Sequence, residues 1–220
     1  PMNSFLQKTV QIIRRGWSGL GKLRRKLFQP RWKLLLWLLA FGIWWQFFLL
    51  PKQLFDDPLS MVLEDRDGNL LGARIAADGQ WRFPATDTVP EKFAKAIVTF
   101  EDRRFDIHPG VDLISLGRAT LQNLKGGRVV SGGSTLTMQV MRMSRKGQSR
   151  NVFQKAIEAV LALRVEMKYS KEEILAMYAS NAPFGGNVVG LDAAAWRYFG
   201  RGPDKLSWAE SATLAVLPNS

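Results

Sequence analysis

The sequence predicts a mainly α-helical protein with a small β-rich segment and one N-terminal transmembrane helix. From residue 90 onward, apolar residues recur every three or four positions in segments separated by glycine-rich turns, as in amphipathic helices. Residues 61–83 instead show short apolar stretches broken by two Asp-Gly pairs, which is typical of strands joined by tight turns. Residues 34–50 form an apolar run whose only strongly polar member is Gln46.

This apolar run predicts a transmembrane helix over residues 30–51. Its 17 residues would span about 26 Å as a helix, so the flanking Trp and basic residues are needed to cross a hydrocarbon core of roughly 30 Å. A buried core helix is the alternative, but many basic residues precede the run. A cleaved signal peptide is disfavoured because no small-x-small cleavage site follows. Four tryptophans lie along or beside the run: Trp32, Trp37, Trp44 and Trp45.

The formal charge of +12 is concentrated at the N-terminus, where residues 1–33 hold nine basic and no acidic residues. A nucleic-acid-binding domain would spread its charge through the fold, so we expect no nucleic-acid partner. The positive-inside rule places the N-terminus in the cytoplasm and residues 52–220 outside. Apolar residues recur at helical spacing within residues 1–29, which predicts a basic amphipathic helix on anionic membrane lipids. A solvated basic tail is the alternative.

The composition also limits the chemistry. The chain has no cysteine and one histidine, His108, so disulfides, cysteine nucleophiles and thiolate or multi-histidine metal sites are excluded. A Ser-His-Asp triad is disfavoured for the same reason. Acid-base chemistry therefore falls mainly to carboxylates.

Beyond the membrane segment we predict two parts, a β-meander stalk over residues 52–85 and a helical catalytic domain over residues 86–220. Ser170 with Glu173, and Ser207 with Glu210, have the spacing of capping boxes at helix starts. The predicted helices cover residues 90–105, 112–124, 134–144, 152–168, 170–180, 191–199 and 207–217.

Two glutamates occupy positions where a helix would place an apolar residue. Glu101 follows Ile97 at i+4 and Ala94 at i+7, on the stripe predicted to face the core. Burial there raises the pKa of a carboxyl group, which prepares it for proton transfer near neutral pH. A structural salt bridge to an arginine is the alternative.

Glu158 repeats the pattern, because Ala162 and Val165 follow it at i+4 and i+7. Glycosyl chemistry characteristically uses two carboxylates, one of which moves a proton. Glu166 is a rival for the second role, but its place near the helix end beside Lys168 predicts a solvated charge.

A glycine-rich segment, residues 131–135, leads into the helix that follows. Backbone N–H groups and the helix dipole favour an anion at such a position. No Gly-Lys-Ser/Thr follows, so this is not a P-loop. Arg142 and Arg150 come after it at distances that could converge on a diphosphate, and arginine suits bidentate phosphate recognition.

Several longer segments match known signatures in order. Residues 101–110 read Glu-Asp-Arg-Arg-Phe-Asp-Ile-His-Pro-Gly, and residues 118–123 begin Arg-Ala and end in Asn. Residues 132–139 read Gly-Gly-Ser-Thr-Leu-Thr-Met-Gln, residues 154–158 read Gln-Lys-Ala-Ile-Glu, and residues 169–175 read Tyr-Ser-Lys-Glu-Glu-Ile-Leu. Together they resemble glycosyltransferase family 51, the peptidoglycan glycosyltransferase module of class A penicillin-binding proteins and of monofunctional enzymes.

The resemblance covers roughly residues 52–220, and the Asn-Ala-Pro-Phe-Gly-Gly stretch at 181–186 is most similar to the 1C kind. The sequence departs from the family pattern at four positions, where Ser131 and Met138 replace glutamines, Arg142 replaces lysine and Gln154 replaces arginine. The Arg142 exchange keeps the charge. The transpeptidase motif of bifunctional relatives, Ser-x-x-Lys, does not occur in the sequence.

The resemblance implies a lysozyme-like fold with a hydrophobic jaw dipping into the bilayer of a bacterial plasma membrane. It implies that Glu101 is the general base that deprotonates the 4-hydroxyl of the acceptor lipid II. Glu158 would assist departure of undecaprenyl diphosphate from the lipid-linked glycan chain, directly or through Mg²⁺ or Mn²⁺, for which Asp102 is the candidate ligand. No organic cofactor is implied. The implied substrate-binding residues are Arg104, Arg118, Gly133, Ser134, Thr135, Gln139, Arg142, Arg150 and Lys155.

Two other functions are compatible with part of the pattern. A lysozyme-like hydrolase or lytic transglycosylase would need the first glutamate but neither the arginines nor the membrane helix. A membrane-tethered scaffold that recruits other cell-wall synthesis proteins would need neither glutamate, and both are present.

Overall fold

The structure is a computed structural model that describes residues 31–48, 50–127, 132–147 and 151–219. The chain divides into two units, Pro1–Leu49 and Leu50–Ser220. In the first unit the described part is one helix, α1 (Arg31–Phe48), whose large apolar side chains from Leu34 to Trp44 are largely exposed. The predicted helix is therefore present. The predicted amphipathic segment 1–29 lies outside the described residues.

The membrane role of α1 is a separate question from its helical structure. Across the four described ranges, no helix combines the length with the apolar character that crossing a bilayer requires. The transmembrane assignment of residues 30–51 therefore stays a prediction.

In the second unit the chain first forms an antiparallel hairpin of β1 (Met61–Glu64) and β2 (Leu70–Arg74). A third strand, β3 (Trp81–Arg82), pairs in parallel with β4 (Val188–Val189). The strands within the predicted β-meander segment therefore form a hairpin and one half of a separate strand pair, while the stalk over residues 52–85 stays a prediction. Local alternation could not reveal the partner of β3, because that partner lies more than 100 residues away along the chain.

The rest of the unit is helical, and each of the seven predicted helices forms. The helices are α2 (Glu91–Glu101), α3 (Leu113–Gly126), α4 (Leu136–Ser144), α5 (Val152–Lys168), α6 (Lys171–Asn181), α7 (Leu191–Phe199) and α8 (Trp208–Val216). Short 3-10 turns cover Phe105–Ile107, Pro203–Lys205 and Leu217–Asn219. The mainly α-helical fold class is confirmed.

Local capping explains several helix starts. The two predicted capping boxes form, with Ser170 and Glu173 at α6 and Ser207 and Glu210 at α8. In each box the serine side chain accepts from the N3 backbone N–H while the glutamate accepts from the N-cap N–H. These reciprocal bonds satisfy donors that a helix start otherwise leaves unpaired.

Helix α4 lies at the centre of the packing. Its residues Leu136 through Met141 are all buried, and it packs against both α5 and α6, while α2 packs against α8. The surrounding core includes Phe93 and Ile97 of α2. The start of α4 is therefore held firmly, and so is the segment that leads into it.

Helix α2 ends four residues earlier than predicted. Asp102 leaves the helical conformation, with φ −155° and ψ 71°, and its carboxylate turns into the interior. As a result Glu101 is the last residue of α2, at the edge of a cleft.

Candidate active site

A cleft of about 530 Å³ opens between the end of α2, the first turns of α3 and the segment 132–135 before α4. It brings together residues that are distant in sequence. Of the predicted site residues, the structure places Glu101, Asp102, Arg104, Arg118, Gly133, Ser134 and Thr135 in its lining.

Glu101 is half-buried and accepts a hydrogen bond from Gln139, whose Nε2 lies 2.7 Å from Oε2. Burial raises the pKa of Glu101. The Gln139 hydrogen bond and the positive charge of Arg142 act in the opposite direction, while Asp102 adds to the rise. The raised pKa expected from the sequence is therefore confirmed in its direction. Such a carboxyl group is suited to accept a proton near neutral pH.

Asp102 stands next to Glu101 in sequence but has a different environment. Both of its oxygens lie 3.0 Å from Nε2 of His108, and Oδ2 also accepts from the backbone N–H of Leu136 at 3.0 Å. Nδ1 of His108 accepts from Gly110 N at 3.2 Å, so the network assigns the proton of a neutral imidazole to Nε2. Asp102 therefore ties the end of α2 to the start of α4.

These contacts do not fit the predicted role of Asp102 as a metal ligand. Both oxygens already accept from protein donors inside the fold. In the parts of the chain that the structure describes, no group of three His, Asp or Glu side chains could hold a metal ion. In these contacts Asp102 has a structural role, and its assignment as a ligand for Mg²⁺ or Mn²⁺ stays a prediction.

The same hydrogen bonds correct the expectation for the start of α4. The carboxylate of Asp102 bonds to Leu136 N, so an anion from the protein itself occupies part of the predicted anion site at this helix start. Thr135 caps α4 by accepting from Met138 N at 3.2 Å, and its hydroxyl donates to Gly110 O. Thr135 is buried, and its hydroxyl is engaged inside the fold.

Gly133 is needed for packing. A Cβ there would lie 2.9 Å from Cα of Leu116 on α3, whereas one at Gly132 would meet no atom of the described residues within 4 Å. The chain at Gly133 is therefore pressed against α3, which forms one wall of the cleft. Ser134 is half-buried between Gly133 and Thr135.

Two arginines line the α3 side of the cleft. Nε of Arg104 lies 3.5 Å from Oδ2 of Asp112, the N-cap of α3, and Arg118 reaches Ser115 Oγ at 3.5 Å. Burial raises the pKa of Asp112, but hydrogen bonds from Ser115 and Ile114 and the charge of Arg104 outweigh it, so this pKa is lowered overall. The cleft lining therefore holds guanidinium groups as well as Glu101, and an anionic substrate would require such groups.

The remaining predicted residues lie on α4 and α5. Arg142, in the last turn of α4, is half-buried and its charge reaches Glu101. Glu158 and Lys155 are half-buried on α5, and neither is among the described residues that line the Glu101 cleft. Ala162 and Val165 are fully buried, which confirms the apolar face that Glu158 shares. Arg150 lies outside the described residues.

Comparison with known proteins decides the family. Residues 67–220 match the model of the transglycosylase family. The chain belongs to this family. It is 42% identical over 190 residues to penicillin-binding protein 1C of Escherichia coli, covering 83% of this chain and 24% of that protein. It is 32% identical over 185 residues to the biosynthetic peptidoglycan transglycosylase of Aromatoleum aromaticum, covering 84% of this chain and 77% of that protein.

A third relative, penicillin-binding protein 1A of Aquifex aeolicus, is 36% identical over 172 residues, which is 77% of this chain and 23% of that protein. The chain therefore spans about a quarter of the length of these penicillin-binding proteins. The resemblance inferred from the signatures, including its likeness to the 1C kind, is confirmed.

The structure also contains an ion pair that the sequence did not reveal. Nζ of Lys171 lies 2.7 Å from Oε2 of Glu166, and Lys171 also donates to His108 O at 2.8 Å. Thr137 donates to Glu166 from α4. The Glu166 side chain is only 7% exposed, so the predicted solvated charge is wrong and Glu166 is a structural partner. The sequence signal for this pair was a lysine at the first position of α6 and an acid two positions before the end of α5. Whether the two side chains meet depends on the turn between the helices.

Proposed function

We propose that this transglycosylase polymerises lipid II into β-1,4-linked glycan strands and releases undecaprenyl diphosphate. The observation that carries the proposal is Glu101, a half-buried carboxyl group of raised pKa at the edge of a cleft whose lining also holds arginines. Relatives named penicillin-binding protein 1C and biosynthetic peptidoglycan transglycosylase support peptidoglycan as the product.

In this mechanism Glu101 accepts the proton of the acceptor's 4-hydroxyl as that oxygen attacks C1 of the donor sugar. The bond between C1 and the diphosphate oxygen breaks, and its electron pair leaves with the diphosphate. Attack from the face opposite the leaving group inverts C1 and gives the β linkage. Gln139 orients the base through its hydrogen bond to Oε2.

The leaving diphosphate needs positive charge. Arg104 and Arg118 already line the cleft, and Arg142 approaches Glu101 from α4. We assign Arg142, Arg150 and Lys155 to the diphosphate, with Glu158 assisting its departure. Guanidinium groups suit this task because their planar donors match phosphate oxygens in pairs.

Exposed apolar side chains support a substrate that enters from a membrane. On α3, Leu113 and Leu124 are each 75% exposed, and at the start of α5 Val152 is 87% exposed. Apolar groups of this number on a surface mark an interaction site. We propose that this face dips into the outer leaflet of a bacterial plasma membrane, and that α1 with its basic flank anchors the chain with its N-terminus in the cytoplasm.

Incubation of the purified protein with labelled lipid II, followed by gel analysis, tests the proposal. We expect glycan strands to lengthen and undecaprenyl diphosphate to be released. In a parallel reaction the protein is incubated with preformed glycan strands, and we expect these strands to keep their length. Shortening of those strands without synthesis would instead show a lytic enzyme, and the absence of both reactions would favour a scaffold.

A further inference from the structure

Another cavity, of about 240 Å³, lies between the β1–β2 hairpin, β3 and α7. The indoles of Trp81 and Trp196 and the ring of Phe83 line it, together with Arg197. We call it the Trp196 cavity. No described residue lines both this cavity and the Glu101 cleft, and the mechanism above uses none of its side chains.

The fold holds the walls of the Trp196 cavity in place. Strand β3 pairs with β4, so that Trp81 lies opposite Val188, and α7 packs against β4. On α7, Ala193 is buried and lines the cavity. Trp196 is half-buried and is not among the described residues that form or border the core cluster. Its ring therefore contributes to the cavity rather than to the core, and the walls are formed before any ligand arrives, as in most ligand sites.

The polar groups of the Trp196 cavity are all hydrogen-bond donors. In the part of the chain that the structure describes, the indole N–H groups of Trp81 and Trp196 have no hydrogen-bond partner, and both are accessible to solvent. Arg197 is exposed and forms no ion pair with a described residue. Indole and guanidinium groups donate and do not accept. The described side chains of the lining thus offer three donor groups and no acceptor, so they fit a ligand that is rich in acceptor oxygens.

A sugar ring has the chemistry that this lining would recognise. Its C–H faces are apolar and can pack against aromatic rings, while its edge carries hydroxyl, ether and carbonyl oxygens that accept hydrogen bonds. An apolar side chain of a protein partner would fill the same space but would leave the donors without partners, which is unfavourable. Sites that enclose a drug-sized ligand measure about 300–1,000 Å³, so this smaller cavity suits one ring of a longer chain.

We propose that the Trp196 cavity binds one sugar ring of a glycan strand, the polymer that the proposed reaction makes. The indoles of Trp81 and Trp196 pack against the ring and donate to its oxygens, and Arg197 pairs with an acidic group of the strand. The choice of this glycan rests on the proposed function. The site is separate from the Glu101 cleft, so it holds finished strand rather than the reacting ends.

The test is titration of the full chain in detergent micelles with soluble glycan strands freed of peptides. These strands lack the lipid and the diphosphate that we assign to the cationic residues of the catalytic site. We expect the indole N–H signals of Trp81 and Trp196 in NMR spectra, assigned from Trp→Phe variants, to shift on titration. Trp196→Ala should raise the Kd at least about tenfold. Trp208→Ala is the matched control, because Trp208 is 54% exposed on α8 and does not line the cavity.

Arg197→Ala tests the charge and keeps the test valid if Trp196→Ala does not fold, since Arg197 is exposed. It should raise the Kd for strands that carry free carboxylates by about two- to fivefold, as for an exposed ion pair. Binding of neutral N-acetylglucosamine oligomers should not change. Arg66→Ala is its control, because the Arg66 side chain is 94% exposed outside the cavity.

The inference is overturned if the wild-type protein binds no strands, or binds them while the Trp81 and Trp196 signals stay in place. Equal Kd values for Trp196→Ala and Trp208→Ala would overturn it as well. Polymerisation of lipid II is measured separately, and Trp196→Ala should keep the wild-type initial rate. A wild-type protein that polymerises lipid II but fails the titration leaves the proposed function standing. One that passes the titration but does not polymerise lipid II overturns the proposed function and leaves the glycan site.

Discussion

Glu101 and Asp102 are neighbours in one signature, yet the fold gives these two carboxylates opposite tasks. Glu101 is half-buried at the cleft, held by the amide of Gln139, and has a raised pKa. Asp102 is 6% exposed and accepts from His108 and from the backbone of Leu136. The first side chain lines the cleft and the second is buried in the interior. A motif can therefore combine a reacting group with the group that fixes its geometry.

The structural role of Asp102 is shared by a larger network of contacts. His108 connects Asp102 to Lys171 through its ring and its carbonyl oxygen, and Lys171 pairs with Glu166 while lying 4.4 Å from the centre of the Phe105 ring. These contacts join the ends of α2 and α5 to the starts of α4 and α6. The network lies behind the cleft and holds its walls together.

The largest expected effect is on activity at Glu101. Glu101→Gln preserves the shape of the side chain but cannot accept the proton, so polymerisation of lipid II should fall by at least on the order of 10²-fold. The Tm should change little, because the amide still fits beside Gln139. Activity within a few fold of wild type would mean that another group is the base. Glu101 and Asp102 would then not differ in function as proposed.

Asp102→Asn should have its main effect on stability. One amide oxygen cannot replace a carboxylate that accepts from both His108 and Leu136, and the new NH₂ would point at a donor. We expect a loss of about 2–3 kcal/mol in the free energy of unfolding, or roughly 5–10 °C in Tm. Thermal unfolding followed by circular dichroism measures it. An Asp102→Asn protein with wild-type Tm would show that Asp102 is not structural.

The difference between Glu101 and Asp102 shows which features the sequence could predict. The i+4 and i+7 spacing from Ile97 and Ala94 identified Glu101, because helical periodicity is a local property. The role of Asp102 depends on Leu136, which lies 34 residues further along the chain. Most helices, both capping boxes and the apolar face of Glu158 were likewise local and were predicted. The β3–β4 pairing and the Lys171–Glu166 ion pair arise from tertiary contacts and were not.

Gly133 and Gly132 offer a second matched pair, since both line the cleft but Gly133 is buried and Gly132 is exposed. A methyl group on Gly133 would lie 2.9 Å from Cα of Leu116, a backbone atom that cannot move alone. Gly133→Ala should therefore cost about 1–2 kcal/mol and shift the cleft wall, which lowers activity. In the part of the chain that the structure describes, no atom lies within 4 Å of the methyl group added by Gly132→Ala, so this variant should have little effect on Tm. Equal Tm values for both variants would refute the close packing of this segment against α3.

Asp192 tests whether burial of a carboxyl group is enough to mark it as functional. Its substitution has the smallest expected effect. Burial raises its pKa from an ordinary value of 3.8 to about 6, although Thr86 lies within 3.5 Å of its carboxylate, and Asp192 does not line the Glu101 cleft. Because the folded pKa is raised, its contribution to stability is fully present below pH 3.8 and is lost as pH rises through about 6.

Asp192→Asn removes the charge that burial disfavours, so the variant should gain on the order of 1 kcal/mol of stability at pH 7.5 and none below pH 4. Chemical denaturation at both pH values measures the gain, and lipid II turnover at pH 7.5 should match wild type. A raised pKa is shared by Glu101 and Asp192, but only Glu101 has a cleft and cationic groups around it. If Asp192→Asn lost turnover while its fold stayed intact, a buried carboxylate would be functional in this protein even away from the cleft.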